Sequence, residues 1–123
     1  MKKGRMPRKI LVADDEKAML SLYSRLFSGT GYRLTLASSF AEAAELITKN
    51  SYDLLVTDLT FPDGVGTELV KIFNEKKAGA RSLLVTGSNP EDRRLDLPSS
   101  STYFEKPFKV DAFLAAVERA LAV

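Results

Sequence analysis

The stretch Tyr52-Asp53-Leu54-Leu55-Val56-Thr57-Asp58 decides how this chain folds. Its centre is apolar without interruption, whereas a strand with one face in water would alternate. Such a run belongs to a strand covered on both sides, as in a parallel sheet between two layers of helices. It stops at a carboxylate. Two further runs stop at charge: Ile10-Leu11-Val12-Ala13 meets Asp14-Asp15, and Thr102-Tyr103-Phe104-Glu105 meets Lys106. Open α/β sheets place their chemistry at strand ends, so three carboxylates and one ammonium are expected to converge.

Outward from these runs, strand-like and helix-like segments alternate. From about Glu16 to Ser28, apolar residues recur at Met19, Leu22, Tyr23, Leu26 and Phe27 with helical spacing. Gly29-Thr30-Gly31 ends that helix with residues that tolerate positive φ, and Tyr32 to Ala37 alternates like a strand. Ser39-Phe40-Ala41-Glu42 reads as a capping box; its helix turns Phe40, Ala43, Ala44 and Ile47 inward and ends near Asn50. Phe61-Pro62-Asp63-Gly64-Val65-Gly66 is expected to be irregular, with a helix from Thr67 through Leu69, Val70, Ile72 and Phe73. Ser82 to Thr86 is a fourth buried strand, and Val110 to Leu121 a last helix. The whole predicts an α/β fold, a doubly wound five-stranded parallel sheet with right-handed crossovers. Between Gly87 and Ser101 two prolines and a serine run leave only Leu95 and Leu97 as apolar anchors, so the fourth helix is expected to be short or missing.

A length of 123 residues fits one domain. The expected division is a basic, flexible arm over residues 1–8 and a single domain over 9–123. Five of the first nine residues are Lys or Arg, so the body is mildly acidic although the chain carries +2 overall. A short charged terminus reads as a solvated tail, and nucleic-acid binding is not expected of this chain alone. Cysteine and histidine are both absent, which excludes disulfides, thiolate chemistry, Ser/His catalysis and imidazole metal ligands. No apolar run approaches the roughly 18 residues of a membrane span, and the basic start lacks the apolar core of a secretory signal. A cytoplasmic protein without membrane partners is expected.

With the flavodoxin-like strand order 2-1-3-4-5, strands one and three lie about 4.8 Å apart, and Asp14, Asp15 and Asp58 share the crevice at the switch point. Carboxylates that close repel unless some are protonated or a cation sits among them. Oxygen-only ligation favours a hard ion, and an open site with few protein ligands suits Mg²⁺ better than Ca²⁺. An acidic residue after a strand is also an ordinary helix cap. Capping accounts for Asp14 or Asp15 singly as well as metal ligation does, but not for the whole set.

From Lys9 to Leu121 the chain resembles the receiver domain of bacterial two-component response regulators. The resemblance rests on Asp14-Asp15-Glu16, on Asp58-Leu59-Thr60-Phe61-Pro62 with Gly66 eight residues after Asp58, on Thr86-Gly87, and on Lys106-Pro107-Phe108. Gly31-Tyr32 and Ala41-Glu42-Ala43 match as well. Each motif is weak alone; in this order, each at a strand end, they form a strong signal. The resemblance implies that Asp58 accepts a phosphoryl group from a sensor histidine kinase or phosphotransfer protein. It also implies Mg²⁺ ligation by Asp15 directly, by Asp14 mainly through water, by Asp58 and by the backbone carbonyl of Thr60. Lys106 then faces the phosphate, with a cis peptide bond to Pro107, while Thr86 and Tyr103 form the switch that controls a downstream effector.

Some positions depart from the family pattern. Thr86 and Lys106 stand twenty residues apart, slightly closer than usual, Val65 occupies a place where Asp is common, and Phe61 replaces a Met. A haloacid-dehalogenase-like Mg²⁺ phosphatase is the alternative enzyme reading, but it calls for Asp-x-Asp where this chain has Asp58-Leu59-Thr60. A phosphorylation-independent interaction module is the other alternative. As a receiver the chain is expected to be no enzyme beyond its own phosphorylation and dephosphorylation. Homodimerisation, the output surface, and whether the chain acts alone or within a longer regulator stay open.

Overall fold

A computed structural model describes residues 7–87 and 101–122. Most of the expected N-terminal arm, and nearly all of the segment with the expected short or missing fourth helix, lie outside the described residues.

Five strands form one parallel sheet: β1 (Lys9–Ala13), β2 (Arg33–Ala37), β3 (Leu54–Asp58), β6 (Arg81–Thr86) and β7 (Ser101–Glu105), in the order β2-β1-β3-β6-β7. This is the predicted 2-1-3-4-5 arrangement. Two short strands, β4 (Thr60–Phe61) and β5 (Gly64–Val65), pair antiparallel beyond the end of β3. The helices are α1 (Lys17–Phe27), α2 (Phe40–Lys49), α3 (Gly66–Lys76) and α4 (Val110–Leu121).

Alternate strand residues feed two separate cores. Ile10, Val12, Leu54, Val56, Leu83 and Val85 pack with Tyr23 and Phe27 of α1 and Phe113 and Val117 of α4. Leu11, Ala13, Leu55 and Leu84 pack with Ala43 and Ile47 of α2 and Leu69, Val70 and Phe73 of α3. Central β3 is buried along all five residues, which is why its sequence does not alternate. Each fully buried Leu or Ile stabilises by about 1.5–3 kcal/mol, so register is strongly held: a slip of one residue would exchange the two faces.

The first helix boundary lies within one residue of expectation at each end, and Gly29 and Gly31 take φ of 82° and 89°, a region costly for residues with a Cβ. Ser39 Oγ accepts the Glu42 N–H as the capping box predicts, but the Glu42 carboxylate reaches Ser38 N, one residue earlier than the reciprocal bond requires. The expectation that residues 61–66 are irregular is corrected by the β4–β5 ladder, and α3 begins at Gly66 rather than Thr67. At the far end of α2, the Lys76 ammonium donates to the carbonyls of Ile47, Thr48 and Asn50 at 2.6, 2.9 and 2.7 Å. Carbonyls with no intrahelical partner are thereby satisfied.

Candidate functional site

Parity along the strands brings the charges together. Asp58 shares its side of β3 with Leu54 and Val56, and Asp14 continues the side of Ile10 and Val12, so both carboxylates emerge on the α1/α4 side of neighbouring strands. Phe104 of β7 packs on that same side, and Lys106 follows it by two residues. The Lys106 ammonium lies 3.2 Å from Asp14 Oδ2, 3.6 Å from Asp58 Oδ2 and 3.0 Å from Glu16 Oε1. The peptide bond joining Lys106 to Pro107 is cis.

Asp14 and Asp58 are buried, and Asp15 is exposed. One carboxylate oxygen from each lies within 4.8 Å of the others. Backbone donors orient two of them: Glu16 N donates to Asp14 Oδ1 at 2.9 Å, and Leu59 N to Asp58 Oδ1 at 2.8 Å. Asp14 Oδ2 is buried with no hydrogen-bond donor aligned on it, although the Lys106 ammonium is close in distance. Such an oxygen is an open ligand position.

Burial, reinforced by the neighbouring charge of Asp14, pushes the Asp58 carboxyl up to about 6. Burial likewise raises Asp14, against the opposing Glu16 N–H and Lys106. For Lys106, burial works against the charge, but the hydrogen bond to Glu16 and the charges of Asp14 and Asp58 outweigh it, so its pKa rises. Among the described residues one ammonium faces these carboxylates and leaves excess negative charge in a desolvated place, and an all-oxygen donor set of this kind fits a hard divalent cation.

A cleft of ≈ 240 Å³ is lined by Asp15, Glu16, Asp58, Thr60, Thr86, Gly87 and Lys106. Thr60 opens β4 and is exposed; Thr86 ends β6 and is buried. Tyr103 pairs in register with Leu84 and packs, half-buried, against the α2/α3 core rather than in the cleft. Gly66 stands where a Cβ would run into the Asp58 carbonyl oxygen, and its N–H donates to Leu59 O at 2.6 Å. A side chain there would push the start of α3 away from the acidic strand end.

The sequence reading did not assign Glu16 a role. Its only sequence signal is that it follows Asp14-Asp15 as a third acid, and its partner is 90 residues distant. The Leu59 N–H is a backbone group that no side-chain pattern announces.

The family model of the response regulator receiver domain matches residues 10–118. Sporulation initiation phosphotransferase F of Bacillus subtilis is 29% identical over 94% of this chain and 95% of that protein. The alkaline phosphatase synthesis transcriptional regulatory protein PhoP of the same organism is 32% identical over 93% of this chain, which spans about half of PhoP's length. A response regulator receiver protein from Sinorhizobium medicae has a crystal structure that superposes with a TM-score of 0.87 at 26% identity, covering 94% of both chains. Family model, relatives and fold agree with the strand-end acids and lysine, and the chain belongs to the response regulator receiver domain family of two-component systems.

Proposed function

We propose that the chain is a phosphorylation-controlled receiver in which Asp58 takes a phosphoryl group from a phosphohistidine on a sensor kinase or phosphotransfer protein. The observation that carries this reading is the meeting of Asp14, Asp15 and Asp58 within 4.8 Å, with Lys106 set against them. Leu59 N–H fixes Asp58 through Oδ1. Oδ2, the oxygen without a backbone donor, attacks phosphorus; the P–O bond forms as the P–N bond breaks, and the imidazole leaves with the electron pair. With its carboxyl at about 6, Asp58 is largely ionised at neutral pH and competent as the nucleophile.

Asp14, Asp15, Asp58 and the Thr60 carbonyl would hold Mg²⁺. When bound, the ion offsets carboxylate repulsion and the charge of the phosphoryl oxygens. Lys106 sets its ammonium against the phosphoryl group, and the Thr86 hydroxyl reaches a phosphate oxygen. Tyr103, tied to the α2/α3 core, changes its packing with Thr86, altering the surface near the ends of β6 and β7 that a downstream effector reads. Phosphorylation adds nearly two charges at one point and shifts an existing equilibrium between two arrangements.

Acetyl phosphate, or a beryllofluoride mimic, with Mg²⁺ tests this. Intact mass should show one phosphoryl adduct, absent from Asp58→Asn, and amide signals near Thr86 and Tyr103 should shift with the mimic. A native chain with neither adduct nor shift would overturn the reading. Sustained phosphate release from varied monoesters would instead favour a phosphatase.

A further inference from the structure

We propose that Asp63 is a positioning residue for Thr60: it ties the β4–β5 turn to the first turn of α2 and so sets where the Thr60 carbonyl stands. This rests on the metal reading of the site above.

The Asp63 carboxylate uses both oxygens on α2. Phe40 N donates to Oδ1 at 3.0 Å and Ala41 N to Oδ2 at 3.0 Å. The helix supplies its next two bonds locally, Glu42 N to Ser39 Oγ and Ala43 N to the Ser39 carbonyl. The first N–H groups of a helix have no intrahelical backbone partner, and here that of Glu42 is satisfied by the N-cap side chain and those of Phe40 and Ala41 by a side chain more than 20 residues further on. That distant pair closes the helix end and fastens the turn in one contact. These N–H groups, Ala41 first, hold the Asp63 carboxyl below its usual range. Asp63 is itself exposed, so core packing does not explain its place.

The surroundings leave the turn little freedom. Phe40 and Phe61 meet edge to face with centroids 6.4 Å apart, and a Cβ on Gly64 would strike the Phe40 ring. On its other side the turn is fastened to the residue that follows β3, by Gly66 N–H on Leu59 O. Thr60, paired in register with Val65, stands between these two anchors and lines the acidic cleft. Releasing either anchor lets Thr60 move relative to Asp58.

Asp63→Ala is compared with Ser39→Ala, which weakens the same helix end without touching the turn. Loss of a group that orients a metal ligand weakens metal binding roughly tenfold or more. Asp63→Ala should lower Mg²⁺ affinity roughly tenfold, followed by tyrosine fluorescence or amide shifts, and Ser39→Ala should leave it unchanged. In the metal-free chain, amide exchange at Thr60 and Val65 should speed up in Asp63→Ala alone. Equal effects of the two variants on affinity and exchange would overturn the inference. If Asp63→Ala does not fold, Asp63→Asn, which keeps one acceptor, should show an intermediate loss. A native chain that fails to bind Mg²⁺ would remove the site reading, while the exchange comparison would still decide whether Asp63 anchors the turn.

Discussion

Glu16 and Lys106, ninety residues apart in sequence, form a 3.0 Å ion pair at the mouth of the acidic cleft. Among the described residues three carboxylates surround Lys106, and Glu16 is much the most exposed of them, 59% against 1% for Asp14 and 11% for Asp58. It is therefore the partner most readily displaced. On the proposed function, an incoming phosphoryl group and Glu16 would compete for the same ammonium.

Glu16→Gln should accelerate phosphorylation by acetyl phosphate by about threefold, the scale of an exposed ion pair worth under about 1 kcal/mol. Thermal stability should barely change. A time course of adduct mass for native and variant chains checks this, and a slower variant would contradict the competition.

Asp58 gives the metal-free chain a pH dependence of definite sign. Its folded pKa of about 6 lies above the usual 3.8, so the folded state holds the proton more tightly than the unfolded state does. The contribution of this group favours folding below about 3.8, is lost as pH rises through about 6, and leaves the charged carboxylate as a cost at neutral pH. In EDTA, Asp58→Asn should be more stable than the native chain at pH 7, and the difference should shrink towards pH 4. Denaturant melts across that range test it; a gap that stayed constant would show that Asp58 titration is not the cause.

On the proposed metal site, Asp15 would separate metal binding from folding. Because it is exposed, Asp15→Asn should leave metal-free stability within about 0.5 kcal/mol. The native chain should gain about 1.4 kcal/mol at Mg²⁺ tenfold above its dissociation constant, and the variant should lose most of that gain. Melting temperatures with and without Mg²⁺ decide it, and an undiminished gain in the variant would remove Asp15 from the ligand set.

Gly66→Ala should destabilise by about 3 kcal/mol, the upper end for overpacking, because the new Cβ would meet backbone atoms of Asp58 and Leu59, the Asp58 carbonyl oxygen first. The Mg²⁺ response should fall with it, since relief requires the strand end or the start of α3 to move. Gly64→Ala, which meets an aromatic ring instead of backbone, makes a useful comparison. An Ala at residue 66 tolerated without loss would refute the steric account.

The sheet was legible because fully buried parallel strands leave no polar alternation: β1, β3 and β6 read as apolar runs, the ends of β1 and β3 located the acids, and the end of β7 located the lysine. Parity did the rest, since residues two apart share a face. The β4–β5 ladder was not legible. Pro62, Asp63 and Gly64 are turn formers by type, and what orders them is Phe40 and the first turn of α2, remote in sequence. Glu16 and Asp63 were hidden for the same reason: their partners lie 90 and at least 22 residues away, and no local pattern encodes a bond of that span. Residues 88–100 lie outside the described residues, so the expectation for the fourth helix meets no observation.

The two-faced division of the strands has a mechanical consequence. Asp58 and Lys106 belong with the α1/α4 layer, while Tyr103 is packed against the α2/α3 layer. A backbone bond, Lys106 N–H to the Thr86 carbonyl at 2.8 Å, ties the residue after β7 to the end of β6. A load placed on Lys106 by a phosphoryl group would pull on the peptide of Thr86, at the end of a strand buried between both layers. On the proposed function, a charge gained at Asp58 on one side of the sheet would be felt through this bond as a displacement on the side where Tyr103 packs.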